Sequence, residues 1–156
     1  MGQEIERKFK VKKHDYRKGN TPTIYKQGYL CIDADRTVRV RIAGEKGYIT
    51  IKGKSSGCSR SEYEYPIPRE EALELLENLC HKPLIEKVRY RYTEQDGKTW
   101  EIDEFSGDNE GLIVAEIELN DENESFVPPE WVGEEVTGDL RYYNSRLTLH
   151  PYRDWE

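Results

Sequence analysis

The chain has 156 residues, of which 35% are charged and only 35% are hydrophobic, and its formal net charge is −7. Its eleven tyrosines, three tryptophans and three phenylalanines argue against a disordered chain, since disordered segments contain few aromatic residues. The negative charge argues against general nucleic-acid binding, which needs a basic surface, although a local basic cavity could still bind a small anion. We therefore expect one folded domain, residues 1–156, with an unusual number of charged positions.

The predicted secondary structure is dominated by strands. A polar stretch over 13–23 is predicted to turn or to form a short helix, and residues 121–138 are predicted to be irregular. No repeat or linker divides the chain, which is consistent with a single domain. In chain order, strands are predicted at 3–12, 24–30, 35–43, 48–54, 61–66, 85–94, 98–105 and 112–120.

Two longer helices are predicted. The first opens at Pro68, carries acidic residues in its first turn and ends before Pro83. The second is predicted to start at Asp139 and to stop at Pro151. The predicted apolar face of the first helix consists of Leu73, Leu76, Leu79 and Cys80.

The strands share a charge pattern in which side chains of one sign stand two residues apart. Because alternate side chains of a strand point to the same face, each doublet lies on one face, where like charges repel each other. For a single strand, a solvated face is by far the commoner explanation. Repetition in six strands favours a closed barrel with charged faces inward and apolar faces covered by helices. The doublets are Glu4 and Glu6, Arg39 and Arg41, Glu62 and Glu64, Lys87 and Arg89, Glu101 and Asp103, and Glu116 and Glu118.

Cysteine usage and hydropathy indicate the compartment. Three cysteines, an odd number without a CxxC pair, favour free thiols in a reducing environment. No apolar run approaches the roughly 20 residues of a membrane helix, and the N-terminus lacks the apolar core of a signal peptide. The sequence predicts a cytoplasmic monomer or homodimer without a membrane or nucleic-acid partner.

The N-terminal Glu4-x-Glu6-x-Lys8 resembles the signature of the CYTH superfamily, the triphosphate tunnel metalloenzymes. The rest of the chain is similar to that family in order, through Arg39-x-Arg41, Lys52, Glu62-x-Glu64, Lys87-x-Arg89, Asp103, Glu116-x-Glu118 and an ending over residues 131–144. The resemblance implies a mainly β fold: a closed eight-stranded antiparallel β-barrel around a charged tunnel, with covering helices and a C-terminal helix. It also implies binding of a triphosphate with a divalent metal. The short bacterial relatives imply hydrolysis of inorganic tripolyphosphate.

The chemistry of the predicted charges is consistent with that substrate. A polyanion leaving water needs paired cations, and Mg²⁺ or Mn²⁺ requires hard oxygen ligands, with two metal sites expected from the number of carboxylates. The candidate substrate-binding cations are Lys8, Arg39, Arg41, Lys52, Lys87 and Arg89. The candidate metal ligands are Glu4, Glu6, Glu62, Glu64, Asp103, Glu116 and Glu118.

Catalysis is expected to be in-line attack of water on a terminal phosphoryl group, with pyrophosphate leaving. Glu4, Glu6, Lys87 and Tyr29 are the candidate catalytic residues. A carboxylate is the first choice for a general base. Tyr29 is the second, because surrounding cations favour an ionised phenol, although a purely structural Tyr29 is the commoner situation.

Several alternatives remain open. The family also includes thiamine triphosphatases, RNA 5′-triphosphatases and adenylate cyclases, and an organic triphosphate would need an aromatic tunnel mouth. A non-catalytic polyphosphate or nucleotide binder is disfavoured, because it would gain nothing from so many carboxylates. Glu101 is expected to be a peripheral ion-pair partner, and Lys54 and Arg91 either line the mouth or are solvated. The last helix either caps the tunnel or only packs, with Arg141, Tyr142, Tyr143 and Asn144 as the candidate cap.

Overall fold

The computed structural model describes residues 2–155, so the first and last residues of the expected domain lie outside the described part. Within the described part there are two helices, α1 at Arg69–Asn78 and α2 at Asn144–Leu149. Short 3-10 turns occupy Asp15–Arg17, Gly107–Asn109, Leu140–Tyr142 and Tyr152–Asp154. The strands are β1 Gln3–Val11, β2 Thr23–Ile32, β3 Arg36–Ala43, β4 Lys46–Gly53, β5 Ser59–Ile67, β6 Ile85–Thr93, β7 Thr99–Phe105, β8 Ile113–Glu118 and β9 Val132–Glu135.

The first eight strands form a closed antiparallel barrel. Their order is β5-β4-β3-β2-β6-β7-β8-β1, and pairing of β1 with β5 closes the ring. β1 is divided along its length: residues 3–5 pair with β5, and Phe9 and Val11 pair with β9. The predicted eight-stranded antiparallel barrel is confirmed, with β9 as an additional strand.

Two predictions for the C-terminal part are wrong. The stretch predicted to be irregular contains β9, whose four residues are too few for an alternation pattern to be recognised. The predicted continuous last helix is instead a 3-10 turn followed by α2. Tyr143 separates them, since its φ of −75° and ψ of 133° are those of extended backbone. The carboxylate of Asp139 accepts a hydrogen bond from the backbone of Arg141 and starts the turn.

Helix α1 covers the outer face of β3 and β4 and so supplies the predicted apolar cover of the barrel, with a set of side chains that differs in part from the predicted one. Ala72, Leu76 and Cys80, spaced by four residues, are buried against these strands. Leu73 is 36% exposed and Leu79 is 66% exposed, so the predicted apolar face is only partly correct. No helix among residues 2–155 combines the length and the apolar character that crossing a bilayer requires.

Gly28 in β2 permits the close approach of the segment that follows α1. A Cβ atom at this position would lie 2.7 Å from Cδ2 of Leu84 and 2.9 Å from Cβ of Cys80, closer than side chains tolerate. A larger residue would therefore push this segment away from the barrel.

The largest apolar cluster lies outside the barrel, between its wall and the covering segments. Trp100 is fully buried there, with its ring centroid 5.4 Å from that of Phe9 and 5.7 Å from that of Trp131, both edge-on. Trp100 and Ile102 of β7 face this cluster, so the alternating Glu101 and Asp103 face the opposite side of the strand. The outer position of the core thus directs the charged doublets to the inside.

Candidate active site

The inside of the barrel is a charged cavity of about 560 Å³. Every predicted site residue except Asp103 lines it. They are Glu4, Glu6, Lys8, Tyr29, Arg39, Arg41, Lys52, Glu62, Glu64, Lys87, Arg89, Glu116 and Glu118. Four further charged residues complete the lining: Lys46, Arg60, Arg91 and Glu101.

Strand register brings these charges face to face. Glu6 lies directly opposite Glu118 between β1 and β8, and Lys8 lies opposite Glu116. The buried Tyr29 of β2 lies opposite Arg39 of β3. Cross-strand neighbours on one face are close enough to interact, so the register alone predicts both attraction and repulsion inside the barrel.

Asp103 lies beneath the cationic side of the cavity instead of lining it. Its carboxylate accepts hydrogen bonds from Nζ of Lys87 at 2.7 Å and from Nε and Nη2 of Arg89 at 2.7 Å and 2.9 Å. Although burial raises the pKa of Asp103, Arg89 and Lys87 hold it far below its usual range. Both carboxylate oxygens are thus engaged by cations, which is the arrangement of a buried counterion.

Arg41 has no carboxylate within ion-pair distance among residues 2–155. Its Nε donates to the neutral Oε1 of Gln27 at 2.9 Å, and its guanidinium lies 4.8 Å from the ring centroid of Tyr25. Burial, followed by the charges of neighbouring Arg39 and Arg89, lowers the pKa of Arg41 to about 10. The protein leaves this positive charge uncompensated, as a site for an anion would.

Lys87 shares this environment. Burial lowers the pKa of Lys87, Asp103 raises it and the charges of Arg89 and Arg41 lower it again, with a net pKa of about 7. Arg89 shares the carboxylate of Asp103 and also pairs with Glu101 at 3.1 Å. Arg39 pairs with Glu64 at 3.4 Å, so Arg41 is the cation here that lacks a carboxylate partner among the described residues. We call the β2, β3 and β6 side of the cavity the cationic wall. Its members are Arg39, Arg41, Lys87 and Arg89.

The side formed by β1, β5 and β8, which we call the carboxylate wall, carries more carboxylates than cations. Both oxygens of Glu4 lie 3.0 Å from Nζ of Lys52. Glu118 has no ion-pair partner among the described residues. Burial raises the pKa of Glu118, and repulsion from Glu4, Glu62 and Glu6 raises it further. The carboxylate wall consists of Glu4, Glu6, Glu62, Glu116 and Glu118, with Lys8 and Lys52 between them.

The donor set of the carboxylate wall fits a hard divalent cation, because all of its ligand atoms are carboxylate oxygens. Within residues 2–155, no three His, Cys, Asp or Glu side chains already form a cluster able to hold an ion. Mg²⁺ commonly uses only one or two carboxylates and completes its shell with water and substrate phosphates. The facing pair of Glu6 and Glu118 fits a metal that is bound together with phosphate.

The beginning of α2 closes part of the cavity. Tyr143, Asn144 and Ser145 line it, and the Tyr143 ring centroid lies 5.5 Å from Nζ of Lys8. Arg141 instead pairs with Asp139 at 2.8 Å outside the cavity. Of the residues predicted to form a cap, Tyr143 and Asn144 reach the cavity.

Sequence reasoning missed several residues of this site. Arg60 lies 3.4 Å from Glu4, and the alternation Arg60-x-Glu62-x-Glu64 could have revealed it. Glu101 was expected at the periphery, but it lines the cavity and pairs with Arg89 at 3.1 Å and with Arg91 at 2.8 Å. Gln27 carries no charge and so leaves no trace in a charge pattern.

Comparison with known proteins agrees with this geometry. Residues 2–150 match the CYTH domain. The chain is 54% identical over 156 residues to an inorganic triphosphatase of Acetivibrio thermocellus, covering 100% of this chain and 99% of the relative. It is 37% identical over 150 residues to an inorganic triphosphatase of Nitrosomonas europaea, covering 94% and 97%. A crystal structure of an inorganic triphosphatase, 34% identical, superposes with a TM-score of 0.69 over 96% of each chain. The chain therefore belongs to the CYTH domain family.

Proposed function

We propose that the protein is a metal-dependent inorganic triphosphatase, a single catalytic domain that hydrolyses tripolyphosphate to pyrophosphate and phosphate. One observation carries the proposal: the cavity holds a cation, Arg41, and a carboxylate, Glu118, on opposite walls, and neither has an ion-pair partner among residues 2–155. A metal–phosphate ligand compensates both, since phosphate neutralises the cationic wall and metal neutralises the carboxylate wall. The two relatives that are inorganic triphosphatases support the same substrate.

The cationic wall would bind the phosphate chain. Arginine offers a planar fork that can donate two hydrogen bonds to one phosphate group, whereas lysine acts as a compact point charge. Arg39, Arg41 and Arg89 would therefore orient phosphoryl groups, and Lys87 would stabilise charge at one position. Lys8 and Lys52 would bind the phosphate that lies next to the carboxylates.

The proposed cofactor is Mg²⁺ or Mn²⁺ at two sites, since triphosphatases of this family are metal-dependent. When bound, the metal polarises phosphoryl oxygens and acidifies the attacking water. The residues that would hold it are Glu4, Glu6, Glu62, Glu64, Glu116 and Glu118. We assign Asp103 instead the role of counterion to Lys87 and Arg89, because its oxygens are already engaged by these two cations.

Hydrolysis would proceed by in-line attack of water on a terminal phosphoryl group. The arginines and lysines stabilise the charge that spreads over the equatorial oxygens and the leaving pyrophosphate, which is most of what phosphoryl transfer needs from a protein. A glutamate of the carboxylate wall is the first choice to orient and deprotonate the water. Lys87, with its pKa of about 7, can exchange a proton at Nζ near neutral pH.

Tyr29 is the second candidate for a general base, supported by its position in the lining opposite Arg39. Replacement by phenylalanine removes the hydroxyl and keeps the ring. A Tyr29→Phe enzyme with unchanged kcat and an unchanged pH profile would rule out this role.

The character of the lining favours an inorganic substrate over an organic one. Apart from tyrosines and one alanine, Ala43, the lining is charged or polar. The lining tyrosines stand beside cations, as Tyr25 does beside Arg41 and Tyr143 beside Lys8. A nucleobase or a thiamine ring would therefore lie among charges and gain little from burial. Tripolyphosphate is charged along its whole length and can use each of these contacts.

The decisive experiment measures phosphate release from tripolyphosphate with and without Mg²⁺ or Mn²⁺. The Glu4→Gln/Glu6→Gln variant removes two predicted metal ligands, and Glu70→Gln/Glu71→Gln on the exposed part of α1 is the matched control. Metal-dependent release that is lost only in the first variant supports the proposal. Tight binding without turnover in the folded wild type would indicate a binder, and faster conversion of ATP to cyclic AMP would indicate a cyclase.

We also propose that the enzyme works in the cytoplasm as a monomer or homodimer, with a small triphosphate as its only ligand class besides metal. The free thiols of Cys31, Cys58 and Cys80 support a reducing compartment. Sedimentation of the purified protein distinguishes the two assembly states.

A further inference from the structure

A series of hydrogen bonds connects the first residue of α2 to two cations of the cavity. Nε of Arg41 donates to Oε1 of Gln27 at 2.9 Å, and Nε2 of Gln27 donates to Oδ1 of Asn144 at 3.0 Å. Nζ of Lys87 donates to the same Oδ1 at 2.9 Å. Gln27 is fully buried and Lys87 is almost so, which means that water cannot readily replace these bonds.

The cations at the two ends determine how both amides are oriented. Guanidinium and ammonium groups only donate hydrogen bonds, so Arg41 requires the oxygen of Gln27 and Lys87 requires the oxygen of Asn144. The amino group of Gln27 then points to Asn144 and donates to it. Rotating either amide by half a turn would set donors against each other. Asn144 Oδ1 is therefore the shared acceptor on which the whole series depends.

The neutrality of both amides has a chemical consequence. A carboxylate next to Arg41 would neutralise its charge and compete with phosphate. An amide oxygen orients the guanidinium and leaves almost all of its charge available to a ligand. Asp103 already balances the charge of Lys87. The contact with Asn144 therefore orients the ammonium group and neutralises little of its charge.

We propose that Asn144 is a positioning residue, which holds Nζ of Lys87 directly and the guanidinium of Arg41 through Gln27. The inference rests on the proposed triphosphatase function and adds to it a neutral residue from outside the barrel strands. Asn144 acts through the two cations, so its removal lets them shift relative to the phosphate chain. A displacement of about 1 Å from the productive geometry can cost roughly a hundredfold in rate.

The test compares the kinetics of tripolyphosphate hydrolysis in four variants. Asn144→Ala removes the shared acceptor, and Gln27→Leu disconnects Arg41; each is expected to lower kcat/KM by about 10-fold to 100-fold, mainly through kcat. The double variant is expected to lose little more than the worse single variant, since both changes break one series. The control is Arg146→Ala, an exposed position on the same helix, with kcat/KM within about twofold of wild type.

Asn144→Asp keeps the shape and the acceptor of the side chain but places a negative charge beside the cations. It is expected to melt at the wild-type temperature while KM for tripolyphosphate rises by about tenfold, because the added charge opposes the substrate. This variant keeps the inference testable if Asn144→Ala folds poorly. Wild-type kinetics in Asn144→Asp and in any folded Asn144→Ala, or fully multiplicative losses in the double variant, would overturn the positioning role.

Calorimetric titration with tripolyphosphate in the absence of metal separates this inference from the proposed function. If the wild type binds tripolyphosphate but does not hydrolyse it with Mg²⁺ or Mn²⁺, the proposed function fails. In that case, an affinity at least tenfold weaker in Asn144→Ala, with Arg146→Ala unchanged, still supports the positioning role. An unchanged affinity in a folded Asn144→Ala overturns it.

Discussion

The inner and outer faces of the same barrel strands contribute to the molecule in opposite ways. In β7, Trp100 and Ile102 point outward into the aromatic cluster and are fully buried, whereas Glu101 points into the charged cavity. Small barrels usually fill their interior with packed side chains, and this one keeps its interior for ions and places its core outside. The outer face therefore supplies the apolar burial that drives folding, whereas the inner face holds paired and unpaired charges that serve a binding site.

The largest expected effect is on the outer face. Trp100→Ala removes the centre of the aromatic cluster and should lower the free energy of unfolding by about 3–5 kcal/mol. Urea denaturation monitored by circular dichroism measures it. Trp100→Phe is the control, because it keeps an aromatic ring at this position and loses only part of the indole, including an N–H that has no partner among the described residues, so its loss of stability should be smaller. Equal losses in both variants would contradict a packing role for the ring.

On the inner face, Arg41→Met should separate activity from stability. Loss of one preorganised positive group is expected to lower kcat by about 10²–10³-fold, as for other groups that stabilise transition-state charge. The melting temperature should change little or rise, since Arg41 is repelled by Arg39 and Arg89. A matched variant, Arg69→Met on exposed α1, should leave both quantities unchanged. A large drop in stability with normal kcat would reverse the comparison between the two faces.

Tyr16 makes the outer face sensitive to alkaline pH. Its hydroxyl donates to Glu104 at 2.6 Å, and burial, followed by Glu104, raises the pKa of Tyr16 well above its usual value of 10.0. The unfolded chain therefore loses this proton first, so the stabilisation is complete below pH 10 and is lost as pH rises above it. Tyr16→Phe should cost about 1 kcal/mol at pH 7 and show a flatter decline above pH 10. Unfolding free energies at several pH values compare the two proteins, and parallel declines would refute the assignment.

Glu118 should show the smallest effect and the opposite sign. Glu118→Gln relieves the repulsion from Glu6 across the strand pair and is expected to stabilise the metal-free protein by about 0.5 kcal/mol. The same change should weaken metal binding and therefore raise the Mn²⁺ concentration that gives the half-maximal rate. Glu130→Gln on the exposed surface serves as the control for a general loss of negative charge. Destabilisation by Glu118→Gln would mean that this glutamate has a cationic partner.

The parts of the structure that the sequence predicts are those that strand alternation determines. Doublets of like charge indicate a shared face, and their repetition indicates closure around an interior, so the barrel and the inward direction of the charges could be derived. The spacing of residues along a strand does not show whether a side chain on the inner face reaches the cavity or lies beneath other side chains. Asp103 has the same spacing as Glu101, yet it lies beneath the cations and Glu101 lines the cavity. Neutral polar residues such as Gln27 become visible only when the register brings them opposite Arg41.

The divided pairing of β1 has a consequence for folding. The ion pair of Lys8 and Glu116 joins residues 108 positions apart, and such distant contacts are expected to form late because loop closure costs entropy first. A nascent chain on the ribosome thus presents β1 first but can complete the ring only after β8 has been synthesised. Residues 3–5 can pair with β5 before that, but Glu6 and Lys8 lack their β8 partners until then, so the site is completed in the same step that closes the barrel.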